Sequence, residues 1–124
     1  MRNVVLDSGA LFALECRDDH MLALAANLVW NRMRAYVPAG VVAQVWRADI
    51  RQPIARLLRS DAVHVDVLDE PLARRLGLVL ASTRTSDVVQ AHVALLARRL
   101  DAPVFTSAPE DIRALDATLT VVRV

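Results

Sequence analysis

Short apolar segments of strand length alternate along this chain with longer segments of helical periodicity, and this alternation limits its possible folds. Five segments are apolar and rich in β-branched residues, and they cover residues 3–7, 35–38, 63–67, 103–107 and 119–124. Strands that alternate with helices form α/β folds with a mainly parallel sheet, because each crossover helix carries the chain back to the edge where the next strand starts. The sequence therefore predicts an α/β sandwich with helices on both faces of the sheet.

The helical segments begin at residues that favour helix starts. Ser8 follows the first strand as a cap, Asp69 precedes a helix to about Ala81, and Asp87 opens a helix to about Leu100. The other helices are predicted over residues 8–14, 21–33, 41–47, 54–59 and 109–115. These helices occupy the intervals between the predicted strands, as the α/β interpretation requires.

Length and composition narrow the class of protein further. A chain of 124 residues has the size of one domain, so we expect a single domain over residues 1–124. Its one cysteine, Cys16, excludes an internal disulfide and suits a cytoplasmic protein. No apolar run approaches the ~18 residues of a membrane span, and the charged N-terminus does not resemble a signal peptide. The net charge of +1 does not by itself predict a nucleic-acid partner.

Acidic residues lie where the predicted strands and helices would gather them. Asp7 ends the first strand, Asp87 begins the helix before the fourth strand, and Ser107 and Ala108 end the fourth strand. In such sheets ligands bind beyond the carboxyl ends of the strands, where the strand order reverses. Carboxylates gathered there bind Mg²⁺ or Mn²⁺ and support phosphodiester hydrolysis. Both aspartates also have an ordinary interpretation, as turn residues or as helix-stabilising charges.

Four blocks of the chain, in order, resemble PIN-domain proteins, and among them the VapC-type toxins of bacterial toxin–antitoxin pairs. The blocks are residues 4–11, 38–47, 85–94 and 104–112. The resemblance implies a five-stranded parallel sheet of order 3-2-1-4-5 and a Mg²⁺- or Mn²⁺-dependent ribonuclease activity. It also implies an RNA substrate such as tRNA or rRNA, an inhibitory VapB-like antitoxin as partner, and a homodimer.

The resemblance transfers only part of the family's acidic site to this chain. Asp7 and Asp87 match two of the carboxylates that bind the metal ion. Gln44 lies where many members have Glu, Gln90 lies where the motif has a second Asp, and Ala108 lies where the last acid is expected. Two or three carboxylates of the pattern are therefore absent, and each lost acid weakens the affinity for a hard cation.

Neighbouring residues are candidates to complete the site. Asp111 lies three residues after Ala108, where some PIN branches carry an acid, although acids are also common at helix starts. Arg84 precedes Asp87 by three residues and can hold an RNA phosphate, or it is a solvated loop residue. Ser8 and Gln90, with Ser107, are expected to line the same site.

Two functional hypotheses follow. In the first, the chain is an endoribonuclease of the VapC type, whose reduced carboxylate set still binds Mg²⁺ or Mn²⁺ with lowered activity. In the second, it is a catalytically silent PIN-like module that binds an antitoxin or RNA without cutting it. A phosphoryl-transfer enzyme with Asp7 as nucleophile is disfavoured, because no second acid follows two residues on and the chain has no lysine.

Overall fold

A single parallel sheet organises the part of the chain that the structure describes. The structure is a computed structural model, and it describes residues 2–47, 49 and 52–124. The five strands are β1 (Asn3–Leu6), β2 (Arg34–Pro38), β3 (Val63–Asp66), β4 (Val104–Thr106) and β5 (Val121–Arg123). Their order across the sheet is β3-β2-β1-β4-β5, and every neighbouring pair is parallel. The predicted α/β class and the strand order implied by the resemblance are confirmed.

Helices connect the strands in the order that the sequence predicts. Within the described residues they are α1 (Ser8–Glu15), α2 (Asp19–Trp30), α3 (Ala39–Val45), α4 (Pro53–Leu58), α5 (Glu70–Thr83), α6 (Val88–Leu100) and α7 (Pro109–Leu115). Each lies within one turn of its predicted ends. None of the helices in the described ranges has the length and apolarity needed to cross a bilayer.

Aspartate side chains cap several of these helices. Asp69 accepts a hydrogen bond from the Leu72 N–H at 3.0 Å and so begins α5, as predicted. The prediction for α1 is wrong in one respect, because Asp7 and not Ser8 is the cap. Asp7 has extended backbone angles, with φ −92° and ψ −179°, so it ends β1 and begins α1 at once.

The core is built around β1, the central strand. Val4, Val5 and Leu6 are all buried, so both faces of β1 are covered and the strand has no alternation between polar and apolar residues. Helices α1 and α6 pack against it and contribute buried residues such as Leu11 and Leu96. In this way the core fixes β1 and the helix that follows it, which together position Asp7.

Strand β3 lies at an edge of the sheet and is only partly buried. The strand predicted over residues 63–67 is confirmed over Val63–Asp66, and it pairs only with β2. Val65 in the strand and Val67 after it are exposed. Asp66, at the end of β3, is bound to α6 through two contacts. Its Oδ2 lies 2.8 Å from Nε2 of the buried His92, and its Oδ1 accepts from Arg99 Nη2 at 2.9 Å.

Candidate functional site

Asp7 lies at the carboxyl edge of the sheet, between the ends of β1 and β4. Its backbone N–H donates to the Phe105 carbonyl at 3.3 Å, which holds it beside β4. Its Oδ1 accepts the Ala10 N–H at 2.9 Å within the first turn of α1. The side chain is buried, and it forms no ion pair with any residue in the described part of the chain.

The environment of Asp7 disfavours its charged form. Burial raises the pKa of the carboxyl above its ordinary value, and hydrogen bonds from the Thr106 hydroxyl and from the Ala10 and Gly9 N–H groups offset this only in part. A buried carboxylate is normally paired with a cation or bound to a metal ion. Asp7 lacks a cationic partner within the described residues, so its carboxyl group is either protonated or available to a metal ion.

A close approach between α1 and the end of β4 shapes the site next to Asp7. A Cβ built on Gly9 would lie 2.0 Å from Ser107 Oγ and 2.9 Å from Ser107 Cβ. Only glycine leaves room for this contact, so Gly9 brings Ser107 against the start of α1. The structure therefore brings together Asp7, Ser8 and Ser107, three of the residues that the sequence assigns to one site.

Thr106 and Ala108 complete this part of the carboxyl edge. Thr106 is fully buried, and its Oγ1 accepts the Ala108 N–H at 2.9 Å. Ala108 occupies the cap position of α7, where it provides no side-chain oxygen to the helix or to a metal ion. The structure thus leaves a methyl group where the family pattern has its last carboxylate.

Asp87 lies at the same edge because of the direction of α6. This helix spans about 20 Å at 1.5 Å per residue and returns the chain to the start of β4, so its first residue lies at the carboxyl edge. A Cβ on Gly40 would lie 2.9 Å from Val89 Cγ2, which places the first turn of α6 against the start of α3. That contact brings the helix after β2 to the same region.

The Asp87 side chain has a structural role in this arrangement. It is exposed, and its Oδ1 accepts the Gln90 N–H at 3.0 Å as the cap of α6. An aspartate cap followed by glutamine three residues later is typical of helix starts. The alternative interpretation of Asp87 as a helix-stabilising charge therefore has a direct structural basis, and this role does not prevent its second oxygen from binding a cation.

The other predicted residues of the site lie on α3, α6 and α7 and at the end of α5. Gln44 is exposed on α3, and Gln90 is half-buried in the first turn of α6. Arg84 ends α5 in a left-handed conformation with φ 55°, and it is exposed. Asp111 is exposed in the first turn of α7. Among the contacts described, none of these residues forms a hydrogen bond to Asp7.

The donor set at this edge is small for a metal site. Across residues 2–47, 49 and 52–124, no group of three or more His, Cys, Asp or Glu side chains is arranged to bind a metal ion. Asp7 and Asp87 supply hard oxygen donors, and Mg²⁺ often keeps several water ligands, so two carboxylates fit a weakly held ion. They do not supply the charge of a site with four acids.

Sequence reasoning missed two residues of this region. Thr106 donates toward the Asp7 carboxyl and organises the turn to Ala108, and Gly9 permits the contact with Ser107. A threonine at the end of a buried strand and a glycine two residues after the capping aspartate were the available signals. Both act through neighbours that are far away in sequence, so their roles appear only when β4 is placed beside β1.

The fold defined by this sheet and its helices is PIN-like. Similar solved structures include FitAB bound to an IR36 DNA fragment, with 15% identity and a TM-score of 0.63 over 97% of this chain and 94% of that chain. PAE2754 from Pyrobaculum aerophilum is also similar, with 16% identity and a TM-score of 0.60 over 98% of this chain and 90% of that chain. No protein-family profile matches the sequence, and the comparison with curated proteins gives no match. At such low identities the likeness establishes the fold.

Proposed function

We propose that this chain is a metal-dependent endoribonuclease of the VapC type, with activity weakened by the loss of acidic ligands. The observation that carries the proposal is the buried Asp7 carboxylate, which has no cationic partner among the described residues. A carboxyl group whose pKa is raised by burial and that lies at the ligand-binding edge of a parallel sheet is a candidate functional group. A divalent cation, Mg²⁺ or Mn²⁺, would supply the missing countercharge.

In this proposal each residue at the carboxyl edge has a defined role. Asp7 and Asp87 hold the ion, and Asp111 and Gln44 assist through water molecules. Arg84 contacts an RNA phosphate. When bound, the ion activates a water molecule and stabilises charge on the phosphate oxygens. Because burial raises the pKa of Asp7, a larger fraction of this carboxyl group is protonated at low pH, and the ion must displace that proton to bind. We therefore expect the activity to fall on acidification.

A second function is favoured by a different observation. Gln90 and Ala108 provide no carboxylates, and no cluster of three acidic, histidine or cysteine side chains exists in the described part of the molecule. Loss of even the indirect partners of a metal typically costs ~10–100-fold in affinity or activity. A PIN-like module that binds an antitoxin or RNA without cutting it therefore stands as the alternative.

The partners in both cases follow from the resemblance. FitAB, one of the structural neighbours, is bound to a DNA fragment. By analogy we expect this chain to act in the cytoplasm with a small DNA-binding, VapB-like antitoxin and to form a homodimer. In the enzymatic case the substrate is tRNA or rRNA. Fold likeness alone does not determine activity, so each of these points needs its own test.

The decisive experiment is cleavage of a labelled tRNA pool in Mn²⁺, with and without EDTA. The native protein is compared with the double variant Gln90→Asp, Ala108→Asp, which restores two acids. Asp7→Asn is the negative control, because asparagine keeps the helix cap but removes the charge. Asp18→Asn is the matched control, since Asp18 caps α2 in the same way but lies outside the site.

The proposal requires that the native protein cuts, that EDTA stops cleavage and that Asp7→Asn abolishes it, while Asp18→Asn does not. The double variant is then expected to cut at least ~10-fold faster. Cleavage by the double variant alone would instead establish the silent binding module. If cleavage persists in Asp7→Asn, the activity comes from a contaminant and the proposal fails.

A further inference from the structure

A row of three residues crosses the carboxyl edge of the sheet on the face that carries Asp7. The Asp7 N–H donates to the Phe105 carbonyl, so Asp7 continues the pairing of β1 with β4 and lies beside Thr106. The register of the next pair places Thr106 directly beside Arg123, the last residue of β5. Residues that lie directly opposite each other in neighbouring strands share a face of the sheet. Asp7, Thr106 and Arg123 therefore follow one another across three strands.

Hydrogen bonds join the members of this row. The Thr106 hydroxyl donates to the Asp7 carboxyl group, and the N–H of Val124, which follows Arg123, donates to the Thr106 carbonyl at 3.0 Å. Neighbouring strands lie about 4.8 Å apart, so the Cα atoms of Asp7 and Arg123 are separated by roughly 10 Å. Arg123 is thus a cation whose backbone is fixed two strands away from the proposed ion site.

The guanidinium group of Arg123 is held in place but remains open to a ligand. Its Nη2 donates to Glu110 Oε1 at 2.8 Å, and Glu110 lies in the first turn of α7. The two side chains are 62% and 71% exposed. A guanidinium group has five N–H donors, and among the contacts described only this one is engaged. Because exposed ion pairs contribute little to stability, a phosphate can bind the other donors without breaking an important contact.

The acidic residues of the carboxyl edge make a fixed cation important for binding RNA. Asp7, Asp87, Glu110 and Asp111 all lie at helix starts on this edge, and their charges repel a polyanion. A divalent ion at Asp7 would offset this repulsion only locally. Arg123 supplies a second positive charge on the other side of Thr106. Its contact with Glu110 restricts the side chain, so less conformational entropy is lost when it binds a phosphate.

We propose that Arg123 binds a phosphate of the RNA beside the scissile bond, and that Glu110 restrains this arginine and competes with the RNA for it. The identity of the ligand as RNA rests on the proposed function. Two variants should therefore have opposite effects: loss of the Arg123 guanidinium weakens binding, whereas neutralisation of Glu110 strengthens it. An ion pair that served only to fasten β5 to α7 would give neither effect on RNA affinity.

Binding is measured by the fluorescence anisotropy of a fluorescein-labelled uridine octamer, with the native chain in EDTA so that cleavage cannot interfere. Arg123→Ala should weaken binding roughly tenfold. It should also lower the slope of the salt dependence by about 0.7, the value for one phosphate contact on a single strand. Arg123→Lys should keep the slope and part of the affinity, because lysine keeps the charge but not the fork of donors. Glu110→Gln should tighten binding about twofold.

Arg98→Ala is the matched control. Arg98 is also an exposed arginine that pairs with an acid at an end of α7, in this case Asp116 at 3.6 Å, but it lies in the last turn of α6, away from the carboxyl edge. Its loss should leave affinity and slope unchanged. Equal affinities of Arg123→Ala and Arg98→Ala would overturn the proposal, and so would weaker binding by Glu110→Gln.

Two further outcomes separate this inference from the proposed nuclease. Tighter binding of a deoxyuridine octamer than of the uridine octamer would overturn the assignment of RNA as the ligand. If the native chain does not bind the uridine octamer, the role of Arg123 is overturned. Cleavage of the tRNA pool is a separate measurement, so the proposed function can stand when the role of Arg123 fails, and the reverse also holds.

Discussion

Replacement of Gly9 by alanine tests the close packing next to the candidate site. The new Cβ would lie 2.0 Å from Ser107 Oγ, 2.9 Å from Ser107 Cβ and 3.2 Å from the Ser107 backbone nitrogen. The hydroxyl can rotate away, but the Cβ and the nitrogen can move only with the backbone of the loop after β4. The substitution therefore forces a displacement of that loop.

The magnitude follows from two opposing effects. Alanine in place of glycine stabilises a helix by up to about 1 kcal/mol, and less in the first turn, where Gly9 lies. Overpacking of this severity costs about 1–3 kcal/mol. We therefore expect Gly9→Ala to lower the free energy of unfolding by about 1–2 kcal/mol. The loss is measured as a lower urea midpoint with an unchanged slope.

Gly77 provides a matched control for this experiment. It lies in the exposed part of α5, and a Cβ there would meet no atom within 4 Å. Gly77→Ala should therefore raise the free energy of unfolding by up to about 1 kcal/mol. Replacement by alanine should therefore destabilise the protein at Gly9 and stabilise it at Gly77, although both glycines lie in helices.

A double-mutant cycle assigns the cost to the contact itself. Ser107→Gly removes both side-chain atoms that the new Cβ would meet, so the double variant should recover about 1 kcal/mol of the loss. The reasoning is refuted if Gly9→Ala stabilises the protein as Gly77→Ala does, or if the double variant shows no recovery. Either result would mean that α1 and the end of β4 are not in close contact.

Two further predictions concern the carboxyl groups of Asp7 and Asp66, and both are checked by urea unfolding across a pH series. In Asp7→Asn the side-chain oxygen can still accept the hydrogen bond from the Ala10 N–H. Because burial raises the folded-state pKa of Asp7, ionisation of the native carboxyl group lowers the free energy of unfolding above that pKa. The free energy of unfolding of this variant should exceed that of the native protein at pH 7, and the difference should vanish below about pH 3.8. Mn²⁺ should stabilise only the native protein. For Asp66, burial is outweighed by hydrogen bonds from His92 and Arg99, which lower its pKa. Asp66→Asn should lower the free energy of unfolding by about 1–3 kcal/mol at pH 7, and this loss should shrink as the pH falls below 3.8. A loss that stays constant with pH would contradict an ionic contribution of Asp66.

The sequence predicts most of the architecture because its signals are local. Buried parallel strands give uninterrupted apolar runs, as in β1, and helix starts are marked by aspartate caps such as Asp69. The predicted cap at Ser8 is wrong because an aspartate at the end of a strand can both end it and cap the next helix. The patterns for strands and for helix starts each fit Asp7, but neither pattern alone shows that the same residue ends β1 and caps α1.

Long-range contacts are what the sequence does not predict. Asp66 contacts His92 and Arg99 across separations of 26 and 33 residues, and no local pattern indicates the pairing. The same limit applies to the candidate site. Its residues can be named from motifs, but the burial of Asp7 depends on the packing of β4 beside β1.

The position of β1 at the centre of the sheet has a consequence for biosynthesis. It is made before all the other strands, yet its register pairs Val5 with Val104, which leaves the ribosome about a hundred residues later. At ~5–20 residues per second, this pairing must wait about 5–20 s after β1 is translated. During that interval one side of the most apolar strand has no neighbour. A nascent chain that stalls before β4 would therefore expose the centre of its own sheet to chaperones or to aggregation.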